Sequence, residues 1–314
     1  MASRPLFRPP PNSRSTVPRA SAADDAKLLA AASRRRTEDA RALAAAASAR
    51  RQKVLEELSR ARGFFELACL DAYEVIDATQ RMTMDVGERT TALAEIGVYH
   101  GRSFLALAST RAAGETCVAI DCFDAQEHNA DESGRGDLDK FLKNLRRFWD
   151  VLGEGEGREG TTTTSGVGEA TPRFVKVVRG NSLDLTPRDV VGEGADAVKV
   201  RMFSVDGSHT EEATLADLRL AEACSHERGV VILDDCFNPD WPGCVSGLAQ
   251  YLANGGKFVP FCIGHNKVFL CAADYASTYA RAFESSTRKT AKLFGCECVI
   301  LKHGWIATFH ANDA

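Results

Sequence analysis

Short apolar runs recur through the middle of the chain, and each gives way to a stretch with helical spacing. The period-two and fully apolar runs predict strands at Ala92–Ile96, Cys117–Asp121, Phe174–Val178, Met202–Asp206 and Val230–Asp234. Between them, positions spaced three and four apart predict helices at Ser103–Arg111, Asp137–Val151, Thr210–Cys224 and Cys244–Leu252. Strands alternating with helices imply right-handed crossovers and a mostly parallel sheet covered on both faces. The last two runs, Phe258–Cys262 and Lys267–Cys271, are joined only by Ile263-Gly264-His265-Asn266. That link is too short for a crossover, so an antiparallel hairpin is expected there. Upstream, Phe64, Phe65, Leu67, Leu70, Tyr73 and Val75 suggest a helix over the edge of the core.

Outside this region the pattern weakens. Residues 1–23 carry four arginines, five prolines and no acid, the composition of an organelle transit peptide and equally of a disordered tail. Residues 24–62 are Ala/Arg/Glu-rich and read as a helical extension that buries little. Residues 63–314 form the expected main domain, interrupted by a Gly/Thr-rich insertion at about 153–171 that has no apolar anchor. No apolar run approaches the roughly 20 residues of a membrane helix. The chain therefore reads as soluble and intracellular, with a cytoplasmic location and plastid or mitochondrial import both compatible.

Charge and cysteines narrow the classes. Residues 1–62 sum to +8, which leaves −12 on the rest of a chain whose formal charge is −4. An acidic body argues against nucleic acid as a partner, because phosphates need a basic face. The ten cysteines are scattered, and Cys296-x-Cys298 lacks the two-residue spacer of common zinc sites. Small buried thiols in a reducing compartment fit better than a disulfide framework.

In an open parallel sheet, ligands sit beyond the carboxyl ends of the strands. The first strand ends in Glu95-x-Gly97-x-Tyr99-x-Gly101-x-Ser103, where glycines allow close approach of backbone to a ligand. The second ends in Asp121, 24 residues after Gly97, a spacing that suits an acid on ribose hydroxyls. The third leads to Asn181-Ser182, a small polar turn able to meet a base edge. The fourth and fifth end in Asp206 and Asp234-Asp235. Three carboxylates at neighbouring strand ends would repel unless a cation intervened, and oxygen ligands suit Mg²⁺ or a similar divalent ion. His209, three residues after Asp206, is placed to serve as general base; a structural histidine is the alternative. His100 is expected to point away from the ligand, and His265 fits a plain turn residue. Trp241, Phe237 and Phe123 suit either an apolar pocket wall or the core.

EIGVYHGRS, AIDCF, SVDGSHTEEATLADLRLA, GVVILDDCFNPDWPGC and FVPFCIGHNKVFL together resemble class I S-adenosylmethionine-dependent methyltransferases. They are most similar to the small-molecule group related to macrocin-type sugar O-methyltransferases and catechol O-methyltransferase. The resemblance spans roughly Phe64 to Cys271. It implies a Rossmann-like α/β sheet of seven strands ordered 3-2-1-4-5-7-6, with strand 7 antiparallel. It also implies that Glu95, Gly97, Tyr99, Gly101 and Ser103 surround the methionine of the cofactor. Asp121 would bind its ribose, and Asn181 with Ser182 would lie beside its adenine. Asp206, Asp234 and Asp235 would hold the metal. His209 stands where catechol-type relatives place a lysine base, so its catalytic role, with Asp206, is read from this sequence and not from the resemblance. The implied activity is O-methylation of a small molecule, with homo-oligomerisation left open. An NAD(P)-dependent oxidoreductase is the first alternative, although GxGxxG is absent. A non-catalytic cofactor-binding scaffold is the second, although it has no need of three crowded acids.

Overall fold

The computed structural model describes residues 22–87, 90–129, 131–153, 172–194 and 197–302. The expected N-terminal tail lies outside these residues up to position 21, as does the Gly/Thr insertion beyond Gly153. The chain divides into two compact units, Met1–Arg51 and Gln52–Ala314. The helix α1 (Ala22–Arg60) begins in the first unit and ends in the second. In its last turns Val54 and Leu58 are buried in the core of the second unit.

That core is built on one mixed sheet. In chain order the elements are α2 (Cys69–Thr83), β1 (Thr91–Ile96), α3 (Arg102–Ala108), β2 (Thr116–Asp121), α4 (Leu138–Leu152), β3 (Val175–Arg179), α5 (Pro187–Val191), β4 (Lys199–Val205), α6 (Glu211–Cys224), β5 (Ser225–Leu233), α7 (Pro242–Ala253), β6 (Phe258–Gly264), β7 (Lys267–Ala272), α8 (Ala273–Ala282), β8 (Thr287–Leu293) and β9 (Cys296–Leu301). The strand order is β3-β2-β1-β4-β5-β7-β6-β9-β8. β1 through β5 run parallel, while β7 is antiparallel to both β5 and β6. The order 3-2-1-4-5-7-6 implied by the resemblance is thus present, extended at one edge by an additional hairpin.

Side-chain alternation explains why the strands stay central. Leu93 points into one core with Phe104, Phe141 and Trp149, while Ala92, Ala94 and Ile96 point into the other with Leu218, Leu248 and Tyr251. The helices have local stop and start signals. The Asp137 carboxylate accepts from the backbone N–H of Lys140 at 2.9 Å, and Gly153 closes α4 in the left-handed conformation. Thr210 caps α6, whose first turn carries Glu211 and Glu212. The turn between β6 and β7 is two residues, His265 and Asn266, both with positive φ, as a tight hairpin requires.

The strand order reverses between β1 and β4, and that gap places the site. Ile96 pairs with Val205 there, and the backbone N–H of Asp206 donates to the Ile96 carbonyl at 2.9 Å. A crevice at this switch point is where open α/β sheets bind ligands. Among the described residues no helix is long and apolar enough to cross a membrane. All ten cysteines are free thiols.

Candidate active site

A cavity of about 670 Å³ opens over the carboxyl ends of β1, β2, β3, β4 and β5. Gly97, Tyr99, Ser103, Asp121, Asn181, Ser182, Asp206, His209, Asp234 and Asp235 all line it. Glu95 and Gly101 do not. Glu95 shares a strand face with Leu93, so its side chain is fully buried beneath the loop. Among the described residues neither of its carboxylate oxygens has a partner at hydrogen-bonding geometry, although the Ser103 and Ser204 hydroxyls lie nearby. Burial pushes its pKa up to about 7, although the nearby Ser103 hydroxyl and the Lys267 charge pull the other way. Gly101 precedes α3 with φ of 97°, and a Cβ there would lie 2.9 Å from the Phe141 ring.

The first loop is shaped by close backbone contact. Gly97 has φ of 83°, and a Cβ on it would fall 1.6 Å from the Asp206 carbonyl oxygen. Only glycine allows β1 and β4 to deliver their ends this close together. Tyr99 follows with φ of 50° and donates its backbone N–H to the Asp121 carboxylate at 2.7 Å. The other Asp121 oxygen accepts from the Phe123 N–H at 2.5 Å. Burial raises the Asp121 pKa, and these donors offset part of that rise. Asp121 lines the cavity between these donors, at the height where a ligand's hydroxyls would reach it. At the end of β3 the Asn181 side chain accepts from Leu183 N–H at 3.2 Å, turning Ser182 toward the cavity. His100 stacks on Tyr99 and is buried away from the cavity wall.

At the other end the acids are divided among partners. Asp234 forms an ion pair with Lys267, a lysine only 2% exposed at the start of β7. Asp235 accepts from Asn238 Nδ2 at 2.9 Å and from Asn266, and its other oxygen lies 3.2 Å from His209 Nε2. Burial works to raise the Asp235 pKa, but hydrogen bonds from His209 and Asn238 prevail and lower it. Asp206 carries the opposite shift: burial, and then the Asp234 charge, hold its pKa well above the carboxylate range. His209 is flanked on both nitrogens, with Nδ1 lying 2.8 Å from Asp131 Oδ2. Burial would lower its pKa, but the Asp235 and Asp131 carboxylates outweigh that and raise it. Its ring stacks on Trp241 at 4.4 Å between centroids. Of the other aromatic candidates, Phe123 is fully buried core and Phe237 stands off the wall.

The structure therefore draws together a different trio from the three aspartates expected. Asp206, His209 and Asp235 offer ligand atoms within 4.8 Å of one another, while the Asp234 carboxylate is held by Lys267. Two carboxylates facing a cavity fit a hard divalent cation that takes its remaining ligands from water and substrate oxygens. Asp131, Lys267 and Asn266 are site residues that the sequence pattern did not single out. The only signal for Lys267 and Asn266 was polarity at the tip and first residue of an otherwise apolar hairpin. Asp131 sits in the aperiodic stretch AQEHNADESGRG, which holds no such signal.

With this geometry in place, residues 94–236 match a family described as a methyltransferase domain. Over these residues the chain is similar to that family. Solved structures to which the chain is similar include three O-methyltransferases. One is the O-methyltransferase NovP, at 16% identity over 66% of this chain and 80% of that one, with a TM-score of 0.47. Another is CalS11, a TDP-rhamnose 3'-O-methyltransferase of calicheamicin biosynthesis, at 17% over 72% and 94%, TM-score 0.45. A third is an O-methyltransferase from Bacillus cereus in complex with SAH, at 13% over 71% and 89%, TM-score 0.44. At these identities no side-chain role transfers to this chain. No curated protein sequence matches the chain.

Proposed function

We propose that the protein transfers a methyl group from S-adenosylmethionine to a hydroxyl of a small molecule. The observation that carries this reading is the single cavity running from the Gly97 loop and Asp121 to the acids of β4 and β5. One end has the glycine turn, a buried acid lining the cavity and the Asn181-Ser182 turn, which suits methionine, ribose and adenine in that order. The other end has the ionisable groups that a reacting hydroxyl needs. A cavity of this size is in the usual range for small-ligand sites and would accommodate a nucleoside cofactor with an acceptor beside it.

Methyl transfer relieves the positive charge on sulfur, so positioning supplies much of the rate. Gly97 and Tyr99 would set the sulfonium, and Asp121 would fix the ribose. Asp206 and Asp235 would hold Mg²⁺ or a similar divalent cation, which when bound lowers the pKa of the attacking hydroxyl. Asp234 then serves as the partner that keeps Lys267 in place. His209 Nε2 accepts the hydroxyl proton when the acceptor oxygen takes the place of Asp235 Oδ2 beside it.

The test is calorimetric titration of the full chain with S-adenosylmethionine and, separately, with NAD. Micromolar binding of the first and none of the second is expected; the reverse would replace the reading by the oxidoreductase one. Asp121→Ala is expected to weaken S-adenosylmethionine binding about tenfold or more, the loss of a charge-assisted hydrogen-bond pair worth about 1.5–3 kcal/mol. Asp235→Ala should leave that binding within about twofold while removing the stimulation of turnover by Mg²⁺. Turnover indifferent to both EDTA and Asp235→Ala would remove the cation from the mechanism.

A further inference from the structure

The loop joining β2 to α4 leaves the cofactor side at Asp121, reaches the reaction side at Asp131 and returns to lie against the Asp121 carboxylate at Gly136. Asp121 precedes it, and His128, Asn129, Ser133 and Gly134 of the loop line the cavity. From this loop Asp131 reaches across 78 positions of sequence to His209. Its Oδ2 accepts the backbone N–H of His209 at 2.5 Å and lies 2.8 Å from the ring's Nδ1. Ser208 Oγ approaches the same oxygen at 3.4 Å. The other oxygen, Oδ1, accepts from the Ser133 backbone N–H at 3.0 Å and from its hydroxyl at 2.7 Å. Asn129 Nδ2 donates to the Ser133 carbonyl at 2.7 Å and so braces the turn. Asp131 is thus fixed at both oxygens, and its side chain is only 7% exposed.

This arrangement is more than a loop tether. A tether would be satisfied by the backbone N–H of His209, yet the same oxygen also engages the ring. Holding Nδ1 leaves Nε2 as the nitrogen that faces Asp235 and the cavity. Trp241 stacks on the ring face and blocks rotation about the remaining torsion. A base whose far nitrogen is engaged by a carboxylate presents one tautomer and one direction to its substrate.

We propose that Asp131 is the positioning residue for His209, holding the proton on Nδ1 and turning Nε2 to the acceptor. This rests on the reading of His209 as the base, and the two are separable by experiment. Histidine-labelled full-length protein is examined by ¹⁵N NMR as wild type, Asp131→Ala and Asp131→Asn, each with saturating S-adenosylmethionine. In the wild type the His209 ring is expected to show a slowly exchanging Nδ1–H. Both variants should lose that signal and shift toward the Nε2–H form, with S-adenosylmethionine affinity within about twofold of wild type. Asp131→Asn keeps the side chain's volume and guards against a variant that fails to fold. Turnover with catechol as probe acceptor is expected to fall about 10–100-fold in Asp131→Ala, the usual cost of removing a carboxylate that orients a histidine. In a His209→Ala background, Asp131→Ala should then cost less than about twofold, because the two residues act as one unit. An unchanged His209 ring spectrum, or losses that simply add in the double variant, would overturn the proposal. If the ring spectrum shifts as expected but His209→Ala turns over catechol at the wild-type rate, Asp131 still orients the ring, and it is the base reading of His209 that fails.

Discussion

Lys267→Met is expected to destabilise the folded domain by about 3–5 kcal/mol, the cost of leaving one partner of a buried ion pair uncompensated. The side chain is 2% exposed and Asp234 is its ion-pair partner, with the Asp206 charge also acting on it. Burial alone would lower the lysine's pKa, yet Asp234, Tyr73 and Asp206 raise it well above its ordinary value. The ammonium is therefore an integral charge of the site. In a domain of this size such a loss lowers the melting temperature by roughly 6–20 °C, at about 2–4 °C per kcal/mol. Thermal unfolding followed by circular dichroism measures it. The double variant Lys267→Met/Asp234→Asn should recover most of the loss, because it removes both charges together. A Lys267→Met protein that melts within 2 °C of wild type would show that the pair contributes nothing net.

Gly97→Ala is the second large effect. The added methyl would meet the Asp206 carbonyl at 1.6 Å, and the residue would have to hold φ of 83°. The left-handed conformation costs an L-residue about 1–2 kcal/mol, but the overlap with backbone is the greater term. Relief requires the ends of β1 and β4 to separate, which moves the Tyr99 loop and Asp206 away from each other. A displacement near 1 Å at a reacting centre lowers turnover about 10²-fold. Calorimetry with S-adenosylmethionine should show affinity reduced by at least tenfold in a variant that still melts cooperatively. Wild-type affinity in Gly97→Ala would mean that this turn has no part in holding the cofactor.

Much of the fold was legible because its strands are buried on both faces. TALAEI, TCVAID and KVRMFSV read as short apolar runs, and every residue of β1 is buried. The hairpin of β6 and β7 was equally clear from a linker too short for anything else. The extra strands β8 and β9 were not, because Thr287–Leu293 exposes Arg288, Lys289 and Lys292 and offers no buried face to recognise. Phe294-Gly295, both with positive φ, was the one local sign of a turn there. In the site, strand ends were readable and long-range partners were not. Asp206, Asp234 and Asp235 stand where apolar runs stop. Asp131, Asn266 and Lys267 reach those positions only through contacts 31–78 residues apart, and no periodicity records such a contact. This is why the sequence suggested three aspartates sharing a cation but gave no sign that a lysine pairs with Asp234.

The hairpin at the sheet's end also decides what the molecule offers to other copies of itself. A seven-strand sheet would terminate in β6, where Phe258, Phe261 and Cys262 are buried and a row of backbone amides would be open for pairing. Because β9 pairs with β6 and β8 pairs with β9, the terminal strand among the described residues is instead TRKTAKL. Its three exposed cations, Arg288, Lys289 and Lys292, are the kind of edge charge by which natural sheets guard against open-ended growth. At the opposite limit β3 carries Lys176 and Arg179 in five residues. Both borders of the sheet are therefore fenced with positive charge, although the body of the protein is acidic.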